Sequence, residues 1–123
     1  MLTLTEQEVL VKIQNLTPFE AKLNDGSLTL RVAEYQPYVA TAIHQGHRMR
    51  DDLVSLCLLN EDERYYEEDP FTGEFITSLP IVLQAEDSRY EYDLNRAPDE
   101  CVYEDAWGKQ VWASPLPAQE RIY

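Results

Sequence analysis

Basic residues are scarce in this chain of 123 residues: 10 Lys and Arg stand against 23 Asp and Glu, a formal charge of −13. The few cations are scattered and form no basic stripe, so phosphate backbones and anionic membrane surfaces are excluded as partners. Cysteine is nearly absent. Cys57 and Cys101 stand far apart in unrelated contexts, which gives neither a CxxC pair nor a disulfide framework, and both read as buried or half-buried thiols. Apolar runs are short, far below the 18 or more residues of a spanning helix. The N-terminal segment MLTLTEQEVLVKIQ lacks the basic start, apolar run and cleavage site of a signal peptide, so a cytoplasmic chain is expected. Gly and Pro are few at 4 and 7, whereas 44% of residues are hydrophobic, which predicts one folded domain over 1–123 with a real core.

The patterning predicts an α/β fold. Asn24-Asp25-Gly26 separates two short alternating segments, the mark of a β-hairpin with strands near 19–23 and 27–32. The apolar run 38–43 follows Pro37 and predicts a strand buried on both faces, as in α/β sheets. Leu53, Leu56 and Cys57/Leu58 at helical spacing predict a helix over 50–59. Asn60 with Glu63 forms a capping-box pattern and predicts an acidic helix that Pro70 ends. Further strands are predicted at 80–84 and 90–94. Beyond Pro98 an irregular tail runs to Tyr123, with Trp107 and Trp112 bracketing Gly108.

Three clusters offer chemistry. His44 and His47, the two histidines of the chain, follow the 38–43 run, where α/β sheets present ligand sites; they are either zinc ligands or plain loop histidines. Arg89, Asn95 and Arg96 bring planar cationic forks and an amide to a cation-poor chain, suited to gripping a carboxylate, or else they pair locally with Glu91, Asp93 and Asp99. Glu67, Glu68 and Asp69 gather carboxylates at a helix end; Asp69, held extended before Pro70, could face a metal, or the run is a solvated acidic face.

In order, Ala42–Gly46, then EEDPFTG at 67–73, then SRYEYDLNR at 88–96 followed by Ala-Pro, the chain resembles the N-formylglutamate amidohydrolase family, related to zinc carboxypeptidases and aspartoacylases. The resemblance spans about 38–112 and implies the N-terminal portion of a phosphorylase/hydrolase-like mixed sheet with flanking helices. It further implies zinc-dependent hydrolysis of an N-acyl amide on an acidic amino acid. By position, His44 and Asp69 match metal ligands, and Arg89, Asn95 and Arg96 match the clamp on the substrate's carboxylate. His47 stands as a further ligand, as a group supporting the ligands, or as plain loop, and Glu68 as a group supporting the ligands. The family's third metal ligand is a histidine further along the chain, and its general base also lies beyond the matched part; no histidine follows His47. This chain is therefore expected to be an incomplete N-terminal part, inactive alone, binding zinc weakly or not at all. A homodimer or a second polypeptide is expected to complete it. The competing expectation is a small acidic, non-enzymatic interaction module whose partner surface is formed by Tyr103, Trp107 and Trp112.

Overall fold

The structure is a computed structural model, and it describes residues 1–116. The end of the tail, 117–123 with Pro117 and Tyr123, lies outside the described residues. The chain opens with strand β1 (Leu2–Leu4), helix α1 (Glu6–Gln14) and strand β2 (Phe19–Leu23), which runs parallel to β1. Thr5 starts α1 by a reciprocal cap: its hydroxyl accepts from the Glu8 amide, and the Glu8 carboxylate accepts from the Thr5 amide at 2.8 Å. Two of the helix's orphan donors are satisfied in this way. The Thr-x-x-Glu signal was present in the sequence, yet no helix is predicted there by apolar periodicity. Val9 of α1 packs on Phe19, Ala21 and Val32, one of two hydrophobic clusters.

The predicted hairpin joins β2 to β3 (Leu28–Val32). Gly26 takes φ +80°, and the Asp25 carboxylate accepts from the Ser27 amide and hydroxyl, so side chain and glycine together close the turn. Strand β4 is Ala40–Ala42 and β5 is Ile81–Ala85; the five-stranded mixed sheet has the order β1-β2-β3-β5-β4. The fold is thus α/β, with helices flanking a mixed sheet.

Three expectations are corrected. The 38–43 run is not a strand buried on both faces: β4 has three residues at the sheet's edge, Ala42 points in, Thr41 points out, and Tyr38 and Val39 are exposed. The helix over 50–59 shrinks to α2 (Asp51–Val54). Beyond it the backbone pairs with the C-terminal segment, the Leu58 amide donating to the Val111 carbonyl and the Ala113 amide to the Leu56 carbonyl. The apolar spacing there serves the second cluster, in which Met49, Leu53 and Leu59 meet Tyr90, Val111 and Trp112. The strand at 90–94 is instead a series of turns, because Tyr90, Glu91 and Asp93 all face inward, which an alternating strand cannot allow.

Helix α3 (Glu61–Glu67) forms as predicted, with Asn60 and Glu63 capping each other, and a 3-10 helix at Thr72–Ile76 follows Pro70. A hairpin of β6 (Asp105–Ala106) and β7 (Lys109–Gln110) turns at Trp107 and Gly108, both with positive φ. Two such residues make a type I′ turn, and a tryptophan there costs about 1 kcal/mol of local strain. Trp112 is buried and Trp107 is 72% exposed. Cys57 is half-buried and Cys101 buried, both as free thiols. Among the described residues no helix is long and apolar enough to cross a membrane.

Candidate functional site

The segment after β4 runs directly along the segment after β5. The Arg48 amide donates to the Glu86 carbonyl at 3.1 Å and the Ser88 amide to the Arg48 carbonyl at 2.7 Å, so residues 44–48 and 86–88 continue the parallel pairing past the strand ends. Gly46 permits this approach, since a Cβ there would collide with the backbone of Glu86 and Asp87. Backbone cannot yield as a flexible side chain does. Gly46→Ala is expected to destabilise the fold by about 2–3 kcal/mol, read as a lower urea midpoint at unchanged m.

Each histidine of this segment meets a carboxylate. His44 Nε2 lies 2.6 Å from Asp93 Oδ1, and its Nδ1 lies 3.5 Å from Asp69 Oδ2. His47 Nδ1 lies 2.6 Å from Glu68 Oε2. An ionised carboxylate only accepts, so the proton sits on Nε2 of His44 and on Nδ1 of His47. Glu68 and Asp69 are neighbours serving different histidines. Glu68 is extended, with ψ 160°, and Pro70 favours an extended Asp69, so successive side chains diverge. The Asp69 amide also donates to the His44 carbonyl at 2.9 Å, fixing the two segments together.

Asp93 is the junction. It is buried, takes the His44 ring and the Asn95 amide on Oδ1, and takes the Arg89 guanidinium on Oδ2 at 3.3 Å. Burial pushes its carboxyl up, but the hydrogen bonds from His44 and Asn95 and the nearby charge of Arg89 outweigh burial and hold it below its usual range. Arg89 also donates to the Tyr103 hydroxyl at 3.1 Å and to the Glu67 carbonyl. Arg96 is exposed and lies over the Tyr103 ring, its guanidinium carbon 5.4 Å from the ring centre. Arg89, Arg96 and Tyr103 share a cavity of about 250 Å³ closed by the Asp105–Trp107 turn. Asn95 is exposed beside Arg96, and its contact with the junction is through its backbone.

Glu68 forms a second, buried node. Besides His47 it accepts from the Ser88 hydroxyl and lies 3.8 Å from the Arg64 guanidinium, which also donates to the His47 carbonyl. Asp93 as junction was not singled out as a site residue by sequence reasoning, and Tyr103, whose ring lies near both Arg89 and Arg96, entered only as part of a partner surface. Asp93 entered only as a local partner of the arginines, and nothing in spacing relates it to a histidine 49 residues away.

The donor set fits zinc in part. With Nε2–H directed at Asp93, the free lone pair of His44 is on Nδ1, on the Asp69 side, and a carboxylate behind a histidine is what orients it for a metal. Two ligands of one tetrahedral zinc stand about 3.4 Å apart, close to the 3.5 Å between His44 and Asp69. Among the described residues no group of three or more His, Cys, Asp or Glu side chains is arranged to hold an ion. His44 and Asp69 are therefore a pair of donors without a third.

Comparison with known proteins gives one family: the model of N-formylglutamate amidohydrolase matches residues 36–123. No curated protein and no solved structure matches significantly. The match covers most of the chain and contains both histidines, the acidic turn and the arginine segment, so the chain belongs to the N-formylglutamate amidohydrolase family.

Proposed function

We propose that the chain carries the carboxylate-binding and two-donor part of a zinc-dependent amidohydrolase acting on the N-acyl amide of an acidic amino acid, and that it does not turn over alone. The observation that supports this most is Asp93, one buried carboxylate that joins the metal-donor side, through His44, to the cationic side, through Arg89. Zinc, when bound, would lower the pKa of a water to about 7 and polarise the amide carbonyl. His44 and Asp69 would hold it, and the third donor and the general base would come from outside the described residues.

The chain's own residues would bind and orient. Arg96 and Arg89 offer a carboxylate paired N–H donors, Tyr103 holds both through its ring and hydroxyl, and Asn95 adds an amide at the rim. His47 and Glu68 would support the loop that carries His44 without touching the ion. Orientation of this kind places the amide beside the donor pair before reaction.

Arg96 gives the cleanest test because its side chain is exposed and stacks on the Tyr103 ring. Glutarate titrated into the chain by NMR is expected to bind saturably. Arg96→Ala is expected to weaken it about tenfold, the loss of one charge-assisted contact. Absence of saturable binding, or equal binding by the variant, would remove the carboxylate-binding role. Steady hydrolysis of N-formylglutamate by the purified chain, stopped by a chelator, would show that the chain needs no second part.

A further inference from the structure

The two-residue turn of the β6–β7 hairpin carries a residue that it does not suit. Both turn positions need positive φ, which Asn-Gly or Asp-Gly supplies with least strain, yet Trp107 stands at the first with φ +55° ahead of Gly108 at +77°. Packing does not explain the choice. The Trp107 side chain is 72% exposed, whereas Trp112 is buried in the second hydrophobic cluster. A bulky ring held in the left-handed region and left in solvent points to a use outside folding.

The ring has a fixed place. Trp107 lines the arginine cavity of about 250 Å³ together with Arg89, Arg96 and Tyr103. Its indole approaches the buried Tyr90 hydroxyl as a donor: burial and the Glu67 charge push that phenol up, and Arg89 and the indole draw it back. The Tyr90 ring in turn meets the Tyr103 ring edge-on, with centres 5.9 Å apart and planes at 83°. The Arg96 and Arg89 guanidinium carbons lie 5.4 and 5.9 Å from the centre of the Tyr103 ring. The relay from Trp107 through Tyr90 to Tyr103 thus sets the indole at a fixed spacing from both cations.

We propose that Trp107 is a specificity-determining residue of this cavity, its indole face receiving the apolar stem or ring of a ligand whose carboxylate is held by Arg96 and Arg89. The inference rests on the carboxylate-binding reading of the arginines and adds what must stand beside the carboxylate. Charge gives the direction of the ligand. Asp105 lines the cavity at the turn and repels an anion there, so the carboxylate faces the arginines and the carbons next to it face Trp107. An indole face gains most from flat or unbranched apolar groups, so an acid without a stem, such as acetate, leaves it unused.

The test is an NMR titration of the full chain with 3-phenylpropionate, acetate, glutarate and the uncharged 3-phenylpropanol. Phenylpropionate is expected to bind about tenfold tighter than acetate through burial of its ring, and phenylpropanol about tenfold weaker than phenylpropionate for want of the charge. In Trp107→Asn the preference for phenylpropionate over acetate is expected to fall below about twofold with acetate binding unchanged, while Trp107→Phe, which keeps a ring, retains most of it. The asparagine variant keeps the fold, because Asn-Gly suits the turn. Arg96→Ala, by contrast, weakens both acids alike. A merely structural role for Trp107 would also weaken both acids alike in Trp107→Asn. That result, or a preference that Trp107→Asn leaves intact, overturns the proposal while carboxylate binding stands. Absence of binding by all three acids removes the carboxylate reading itself, and the proposal with it.

Discussion

Glu68→Ala is expected to cost about 3–5 kcal/mol of folding stability, a large part of the 5–15 kcal/mol typical of a single domain. Three groups share the Glu68 carboxylate: the His47 ring, the Ser88 hydroxyl and the Arg64 guanidinium. Arg64 decides the size of the effect. Its side chain is only 5% exposed, so without Glu68 a cation is left buried, with the His47 carbonyl as its remaining contact. A glutamine in place of Glu68 keeps the volume and one acceptor and is expected to cost roughly half as much. Denaturant unfolding of the two variants side by side gives the answer. An alanine variant within about 1 kcal/mol of the parent would mean that water reaches Arg64 and that the node is not closed.

Asp93→Ala is expected to be comparably severe, about 3 kcal/mol, and to act on the site as well as the fold. It strips the acceptor from His44, from Arg89 and from the Asn95 amide at once. Arg89 keeps the Tyr103 hydroxyl and the Glu67 carbonyl, so its charge is not wholly stranded. Glutarate binding should weaken with it, because Arg89 loses the carboxylate that aims it. The same residue sets an acid limb. Its carboxyl is lowered in the folded state from the ordinary 3.8, so the unfolded chain binds the proton more readily. The stabilisation is complete above the unfolded value, near pH 4, and is lost as pH falls through the folded one. In the parent chain stability should drop below about pH 4, and in Asp93→Asn that part of the acid dependence should be absent; an identical acid limb in both would assign it to other carboxylates.

Local signals were legible where a few neighbouring residues satisfy one another. Asp25-Gly26-Ser27 closes its turn with its own carboxylate, and Asn60 with Glu63 caps α3 three residues apart; both are written in short spacing. Thr5 with Glu8 carries the same message for α1, which apolar periodicity alone passes over because only Val9 of that helix is fully buried. Longer elements misled for a tertiary reason. Leu53, Leu56 and Leu58 have helical spacing, but the backbone beyond Val54 is drawn into pairing with 111–113, and those bonds replace the helical ones. In the site, the histidines and the arginines stand out by residue type in a chain poor in both. Their mutual wiring does not, since each histidine finds its carboxylate 21 or 49 residues away through the fold.

The sheet order carries a consequence for how this protein can be cut and inherited. The family's match begins at residue 36, so β1, α1, β2 and β3 precede it. Yet β5, inside the match, is flanked by β3 through five consecutive residue pairs from Leu28↔Ala85 to Val32↔Ile81. Arg31 reaches over to the carbonyls of Thr77 and Leu79, and Arg48, beside the histidines, donates to the Asp25 carbonyl at the hairpin tip. The boundary of sequence kinship therefore passes through the middle of a hydrogen-bonded sheet and is no boundary of folding. Excised at residue 36, the remainder would present β5 as a raw edge open to any strand that met it, and the histidine loop would lose one of its anchors. A lineage that exchanged its leading segment would have to bring, in the same event, another strand to take the place of β3.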